Sequence, residues 1–159
     1  MAVLCRLSYS SDDHMIRRRS GPAFLLLLMA CSGGRGDLPR ATLTFEGVVE
    51  VEVQVAEAPE DRARGLMGVE DLAELEGMVF LAEEPTRGTF TMRDTLIPLS
   101  LGVWGTDRRL AAIVDMDPCR AEPCPSYDPG VEWIGAVEVN QGFFERHGVS
   151  IGARVRLER

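Results

Sequence analysis

Few residues in this sequence are equipped for chemistry, and they are unevenly spread. Between Phe90 and Leu99 an apolar run is interrupted by Arg93-Asp94-Thr95, a guanidinium, a carboxylate and a hydroxyl in succession. On one reading these groups line the rim of a pocket, with Arg64 and Glu138 as neighbours. A small polar or anionic ligand would suit the guanidinium geometry best. On the other reading Arg93 and Asp94 are a charge pair at a strand end, and Thr95 satisfies turn amides. The candidate ligand-binding set is Arg64, Arg93, Asp94 and Thr95.

Catalysis has little to draw on. All 17 cationic side chains are arginine, so a Schiff-base lysine, a lysine base and a P-loop lysine are excluded. His147 stands just before Gly148, which suggests a helix C-terminus and an imidazole placed against the dipole rather than a general base. Paired carboxylates such as Asp94 and Glu138 can run acid–base chemistry without histidine or lysine. An envelope-polymer hydrolase of that kind is therefore the alternative to a non-catalytic binding module. Met67, Met78 and Met92 carry thioethers that suit Cu(I), but without a thioether repeat they read as core fillers. No metal site and no cofactor is expected. Cys119 and Cys124 are separated by four residues, where a thioredoxin-like site has two. They are expected to form a structural disulfide in a proline-rich loop, worth about 2 kcal/mol through loop closure.

The N-terminus carries an address. Arg17-Arg18-Arg19 precede the apolar run from Ala23 to Ala30, and Cys31 follows. Basic region, short apolar region and small residue make a secretory signal, too short to span a membrane, which takes about 20 apolar residues. Leu28-Met29-Ala30-Cys31 resembles a bacterial lipobox, in which the cysteine is lipidated and becomes the first mature residue. Residues 1–30 are thus expected to be a signal peptide, with Met15 as a conventional start and residues 1–14 as upstream sequence. Residues 31–40 are expected to be lipidated Cys31 and a flexible tether. The protein is expected to be an exported lipoprotein facing the periplasm or cell exterior. It would meet the membrane through the lipid on Cys31, and Ser32 points to the outer membrane in a diderm host. Cleavage before Cys31 removes Arg6, Arg17, Arg18 and Arg19 but only Asp12 and Asp13, so the mature chain is more acidic than the formal net charge of −8. A nucleic-acid partner is not expected, since it calls for a basic face.

Residues 41–159 must position whatever site exists. Val49, Val51, Val53 and Val55 alternate with Glu50, Glu52 and Gln54, the period of a half-buried strand. Thr42–Phe45 is its partner across a turn at Glu46-Gly47. Pro59 opens a helix that runs to about Leu66, and a second short helix is expected over Asp71–Glu76. Six further strands are expected: Met78–Leu81, Thr89–Met92, Leu99–Trp104, Leu110–Asp115, Val131–Val139 and Val149–Leu157. Gly105-Thr106-Asp107-Arg108 is a hairpin turn candidate. The sum is a mainly β single domain, a sandwich or barrel-like fold with two or three short helices.

Three motifs in order are more specific than any of these elements. They are Arg64-Gly65-Leu66-Met67, Gly77-Met78-Val79-Phe80 and the run from Phe90 to Leu99. With Pro118-Cys119, Cys124-Pro125-Ser126-Tyr127 and Gly148-Val149-Ser150-Ile151-Gly152, the chain from Leu43 to Leu157 resembles the bacterial and archaeal family called domain of unknown function 192. The resemblance implies a compact, mainly β domain, often exported, and no particular activity. The chain departs from that family's pattern at Thr91, Asp94 and Ser100, where Trp, Asn and Asp are common.

Overall fold

A computed structural model describes residues 38–159 of the chain. The signal expected over residues 1–30, the lipidation expected at Cys31 and residues 31–37 of the tether lie outside the described residues. The sheet starts where valine and acid alternate. In β1 (Arg40–Phe45) and β2 (Val49–Ala56), paired antiparallel, Val51, Val53 and Val55 are 0–1% exposed. At the turn between the strands the Val48 N–H donates to the Phe45 carbonyl at 3.0 Å. Gly47 there takes φ 75°, which glycine adopts without a Cβ penalty.

Next comes α1 (Pro59–Arg64). Pro59 stands in its first turn with Glu60 and Asp61, and Arg62 and Arg64 in its last, so both ends complement the helix dipole. It stops short of the expected Leu66 because Gly65 turns to φ 49° and returns its N–H to the Asp61 carbonyl at 2.9 Å. The chain then enters β3 (Glu76–Thr86), which runs parallel to β2. The helix expected over Asp71–Glu76 does not form. The Asn140 side-chain amide donates to the Leu72 and Ala73 carbonyls at 2.8 and 3.2 Å, and the Glu52 N–H donates to the Leu75 carbonyl at 2.8 Å. The Leu72 carbonyl, which such a helix would use internally, is held by Asn140, and the Leu75 carbonyl ties the segment to β2.

The remaining elements are β4 (Phe90–Thr91), β5 (Leu99–Trp104), β6 (Leu110–Met116), β7 (Ser126–Tyr127), β8 (Trp133–Asn140), α2 (Phe143–Arg146) and β9 (Val155–Glu158). The strand expected from Val149 begins only at Val155. Before it, Gly152 takes φ 95° and the Ala153 N–H donates to the Ser150 carbonyl at 3.0 Å. The large sheet has the order β6-β5-β8-β3-β2-β1-β9, and every pair except β2–β3 is antiparallel. Its two outer strands approach at one end. Arg109 bridges Arg154, Leu110 N–H donates to the Ala153 carbonyl at 2.9 Å, and Val155 N–H donates to the Arg108 carbonyl at 2.8 Å. The mainly β expectation thus takes the form of a curled seven-stranded half-barrel with two short helices. Strands β4 and β7 form a separate two-stranded ladder.

Burial divides into two clusters. Leu43, Phe45, Val51, Val137, Phe143 and Phe144 belong to one. Met78, Phe80, Met92, Leu101, Trp133 and Ala136 belong to the other, which lies under the candidate site.

Candidate ligand-binding cavity

A cavity of about 480 Å³ opens where four segments converge. The end of α1 and the turn after it supply Arg62, Arg64 and Met67; β3 supplies Phe80, Ala82 and Glu83; β4 supplies Phe90 and Thr91; and β8 supplies Trp133 and Glu138. Each segment is fixed for a local reason. Leu66, 3% exposed, anchors the turn after α1, and Arg62 Nη1 donates to the Leu81 carbonyl at 3.1 Å. The pairing of β3 with β8 slips between Leu81 and Thr86, a bulge that directs Glu83 and Thr86 toward the opening. Phe90 packs edge-on against Phe80 with ring centroids 6.0 Å apart and lies 5.2 Å from Trp133. Trp133 is locked by its indole N–H, which donates to the Gly88 carbonyl at 3.1 Å. Aromatic rings fixed in this way give an apolar wall that needs little ordering when a ligand arrives.

Glu138 is the unusual member. It lies in the middle of a central strand, opposite Met78 of β3 on one side and Leu101 of β5 on the other. Ala136 shares its face, while Val137 and Val139 pack into the other cluster. The residue is 6% exposed, lines the cavity, and accepts no hydrogen bond from any side chain or amide among the described residues. Burial pushes its carboxyl up to about 8, so the acid is predominantly neutral at pH 7. A neutral carboxyl both donates and accepts a hydrogen bond.

The structure separates the residues singled out in the sequence. Arg64 lies exposed at the cavity mouth with no side-chain hydrogen bond among the described residues, and Thr95, 6% exposed, lines the interior. Arg93 and Asp94 are outside the lining. They occupy a turn closed by the Thr95 N–H on the Met92 carbonyl at 3.2 Å, with Asp94 at φ 55°. Asp94 is exposed, and its carbonyl accepts the Gly68 N–H at 2.8 Å. The charge pair expected between Arg93 and Asp94 is replaced by one between Arg93 Nε and Glu122 Oε1 at 2.9 Å. The carboxylate pair of Asp94 and Glu138 does not share this cavity. Because Arg93 and Glu122 are 58% and 61% exposed, Arg93→Ala is expected to lower stability by less than about 1 kcal/mol. Thermal melting checks this; a loss of several kcal/mol would mean that the turn depends on the pair.

The remaining candidates are structural. Cys119 and Cys124 form a disulfide with Cα atoms 5.4 Å apart. Inside that loop the Cys124 N–H and then Arg93 hold the Glu122 carboxyl below its ordinary range. The loop leads into β7, which pairs Tyr127 with Phe90 and Ser126 with Thr91, so it supports the strand that walls the cavity. His147 follows α2, where its N–H donates to the Phe143 carbonyl at 3.0 Å and its Nε2 lies 3.1 Å from Glu74. Met78 and Met92 are core residues at 1% exposure, while Met67 lines the cavity.

Comparison with known proteins agrees with this architecture. A candidate transcription regulator from Sinorhizobium meliloti 1021 is similar in structure, with a TM-score of 0.71 and 26% identity over 78% of this chain and 98% of its own. A protein of unknown function from Novosphingobium aromaticivorans DSM 12444 is similar with a TM-score of 0.64 and 29% identity, over 74% of this chain and 83% of its own. No curated protein matches the sequence. The family described as Uncharacterized ACR matches residues 41–157, nearly all of the described domain. The chain belongs to this family, the domain of unknown function 192.

Proposed function

We propose that this chain is a lipid-anchored cell-envelope protein that binds a small polar or anionic ligand in the cavity above Glu138, without catalysing its conversion. One observation carries the ligand reading. A carboxyl 6% exposed, with no hydrogen-bond partner among the described residues, stands on a central strand at the floor of a cavity whose mouth carries the exposed guanidinium of Arg64. The carboxyl opens into the cavity rather than into packed core, so its hydrogen-bonding groups face a space that a ligand can enter. Its presence makes sense if a ligand completes the hydrogen bonds. The hydrolase alternative loses its support when Asp94 stands outside the cavity. The excess of 25 acids over 17 arginines argues against a nucleic-acid partner for this chain.

Arg64→Ala tests the binding reading. The residue is exposed, so its removal should change stability by no more than about 0.5 kcal/mol. Stabilisation by ligand is the sensitive quantity, about 2.7 kcal/mol at a hundredfold excess over Kd. In thermal melts against a panel of envelope-derived small molecules, the wild type should respond to at least one compound and Arg64→Ala should respond more weakly. A response of equal size in both proteins would place the ligand elsewhere.

The envelope reading rests on the order of basic cluster, apolar run, Ala30 and Cys31. Cys31→Ser should move the protein from the detergent phase to the aqueous phase in a partition assay. Unchanged partition would remove the lipid anchor from this account.

A further inference from the structure

We infer that Glu138, at the floor of the cavity, hydrogen-bonds the carboxylate of a small organic acid with a flat apolar body. The inference rests on the reading of the cavity as a ligand site and names the ligand's class. Three independent features of the cavity define that class.

The first is the balance of charge around the floor. The strand neighbours of Glu138, Met78 and Leu101, carry no charge, and Thr95 brings a hydroxyl from the turn after β4. The ionisable groups lining the same cavity are Arg62 and Arg64 from α1 and Glu83 from β3. With Glu138 neutral, two guanidiniums face a single carboxylate there, on a chain where acids outnumber arginines 25 to 17. Arg62 is already engaged with the Leu81 carbonyl at 3.1 Å. Arg64 remains available to an anion.

The second feature is the wall. Phe90 packs against both Phe80 and Trp133, and all three residues line the cavity that Glu138 lines. They favour a planar apolar group. The third is size, since about 480 Å³ holds a ligand of one or two rings and not a polymer. A carboxylate next to such a body would accept the Glu138 proton in a short charge-assisted hydrogen bond and present its remaining oxygen toward the mouth.

The proton sets the pH dependence. Burial raises the Glu138 carboxyl to about 8. Below that value the group is a donor; above it the site holds a second negative charge that repels the ligand. An ammonium ligand would behave in the opposite sense, since it binds the ionised form.

Phenylacetate, 2-phenylethanol and 2-phenylethylamine share one body and differ in the head group. Calorimetric titration of each into the detergent-purified full chain, from about pH 7 to about pH 9, tests the inference. Phenylacetate should bind tightest, and its affinity should fall about tenfold over that range. Glu138→Gln keeps a donor without an ionisable proton, so it should bind phenylacetate with no comparable fall. Tighter binding of the amine, or phenylacetate affinity that is flat or rises with pH in the wild type, overturns the inference. If another small molecule then binds and Glu138→Leu removes that binding, the cavity stands as a ligand site and only the carboxylate class is lost. If no compound binds at all, both fall.

Discussion

Glu138→Leu should raise the melting temperature, and the gain should grow as pH rises. The side chain lies between Met78 and Leu101 on a central strand with no partner among the described residues. Leucine has a similar volume and no group to desolvate. In the folded chain the Glu138 carboxyl is raised from 4.5 to about 8 by burial. A raised value means that the folded state holds the proton more tightly than the unfolded state. The resulting stability is fully present below about pH 4.5 and is lost as pH rises to about 8. At about 1.36 kcal/mol per unit, the shift corresponds to roughly 5 kcal/mol. Water entering the cavity reduces this, and an effect of about 2–4 kcal/mol is expected. For a domain of this size that is a change of about 10 °C. The difference in melting temperature between Glu138→Leu and wild type, measured at about pH 5, 7 and 9, isolates this residue from the other titrating groups. It should widen toward alkaline pH. A difference that is constant, or that widens toward acid, would contradict a neutral Glu138.

Gly135→Ala should be the most damaging small substitution in the sheet. Gly135 of β8 lies opposite Trp104 of β5. A Cβ at this position would stand 2.2 Å from both Cε2 and Cζ2 of the Trp104 indole, far inside contact distance. The ring is 5% exposed and belongs to the cluster of Leu43, Phe45 and Val51. It would have to leave its place and expose much of its surface, with a loss of about 3–5 kcal/mol. Chemical denaturation of Gly135→Ala, Trp104→Leu and the double variant gives the coupling. The alanine should cost far less when the indole is absent. Equal costs in the two backgrounds would mean that the ring does not fix residue 135 as glycine.

Strand and turn chemistry was largely legible in the sequence, while long-range pairing was not. The alternation from Val49 to Val55, the helix start at Pro59 and the hairpin at Gly105–Arg108 depend on local preferences, and all three form. The expected helix at Asp71–Glu76 fails because its carbonyls are captured by Asn140 and Glu52, residues that only the folded sheet brings near. The parallel pairing of β2 with β3 is equally invisible in a local pattern.

The same division applies to the cavity. Thr95, from the Arg93-Asp94-Thr95 cluster, and Arg64, its expected neighbour, both line the cavity. Arg93 and Asp94 belonged to the same dense cluster, yet the turn points them away. A turn residue at positive φ favours Asp or Asn, which is a structural reason for that polarity. Glu138 was hardest to weigh. Val137-Glu138-Val139 looks like a strand with one wet face, but β8 lies between β3 and β5 and is buried on both faces. Only the strand order reveals that this carboxyl lies at the floor of a cavity within the sheet.

The protonation state of Glu138 can be read without any ligand or activity. Carbon-detected NMR of the Glu138 side-chain carboxyl, followed from about pH 4 to about pH 10, reads it without reference to activity. The account predicts a neutral carboxyl at pH 7, a midpoint near 8, and a change in that resonance when a ligand enters the cavity. An ordinary midpoint near 4.5, indifferent to every ligand that stabilises the protein, would contradict it.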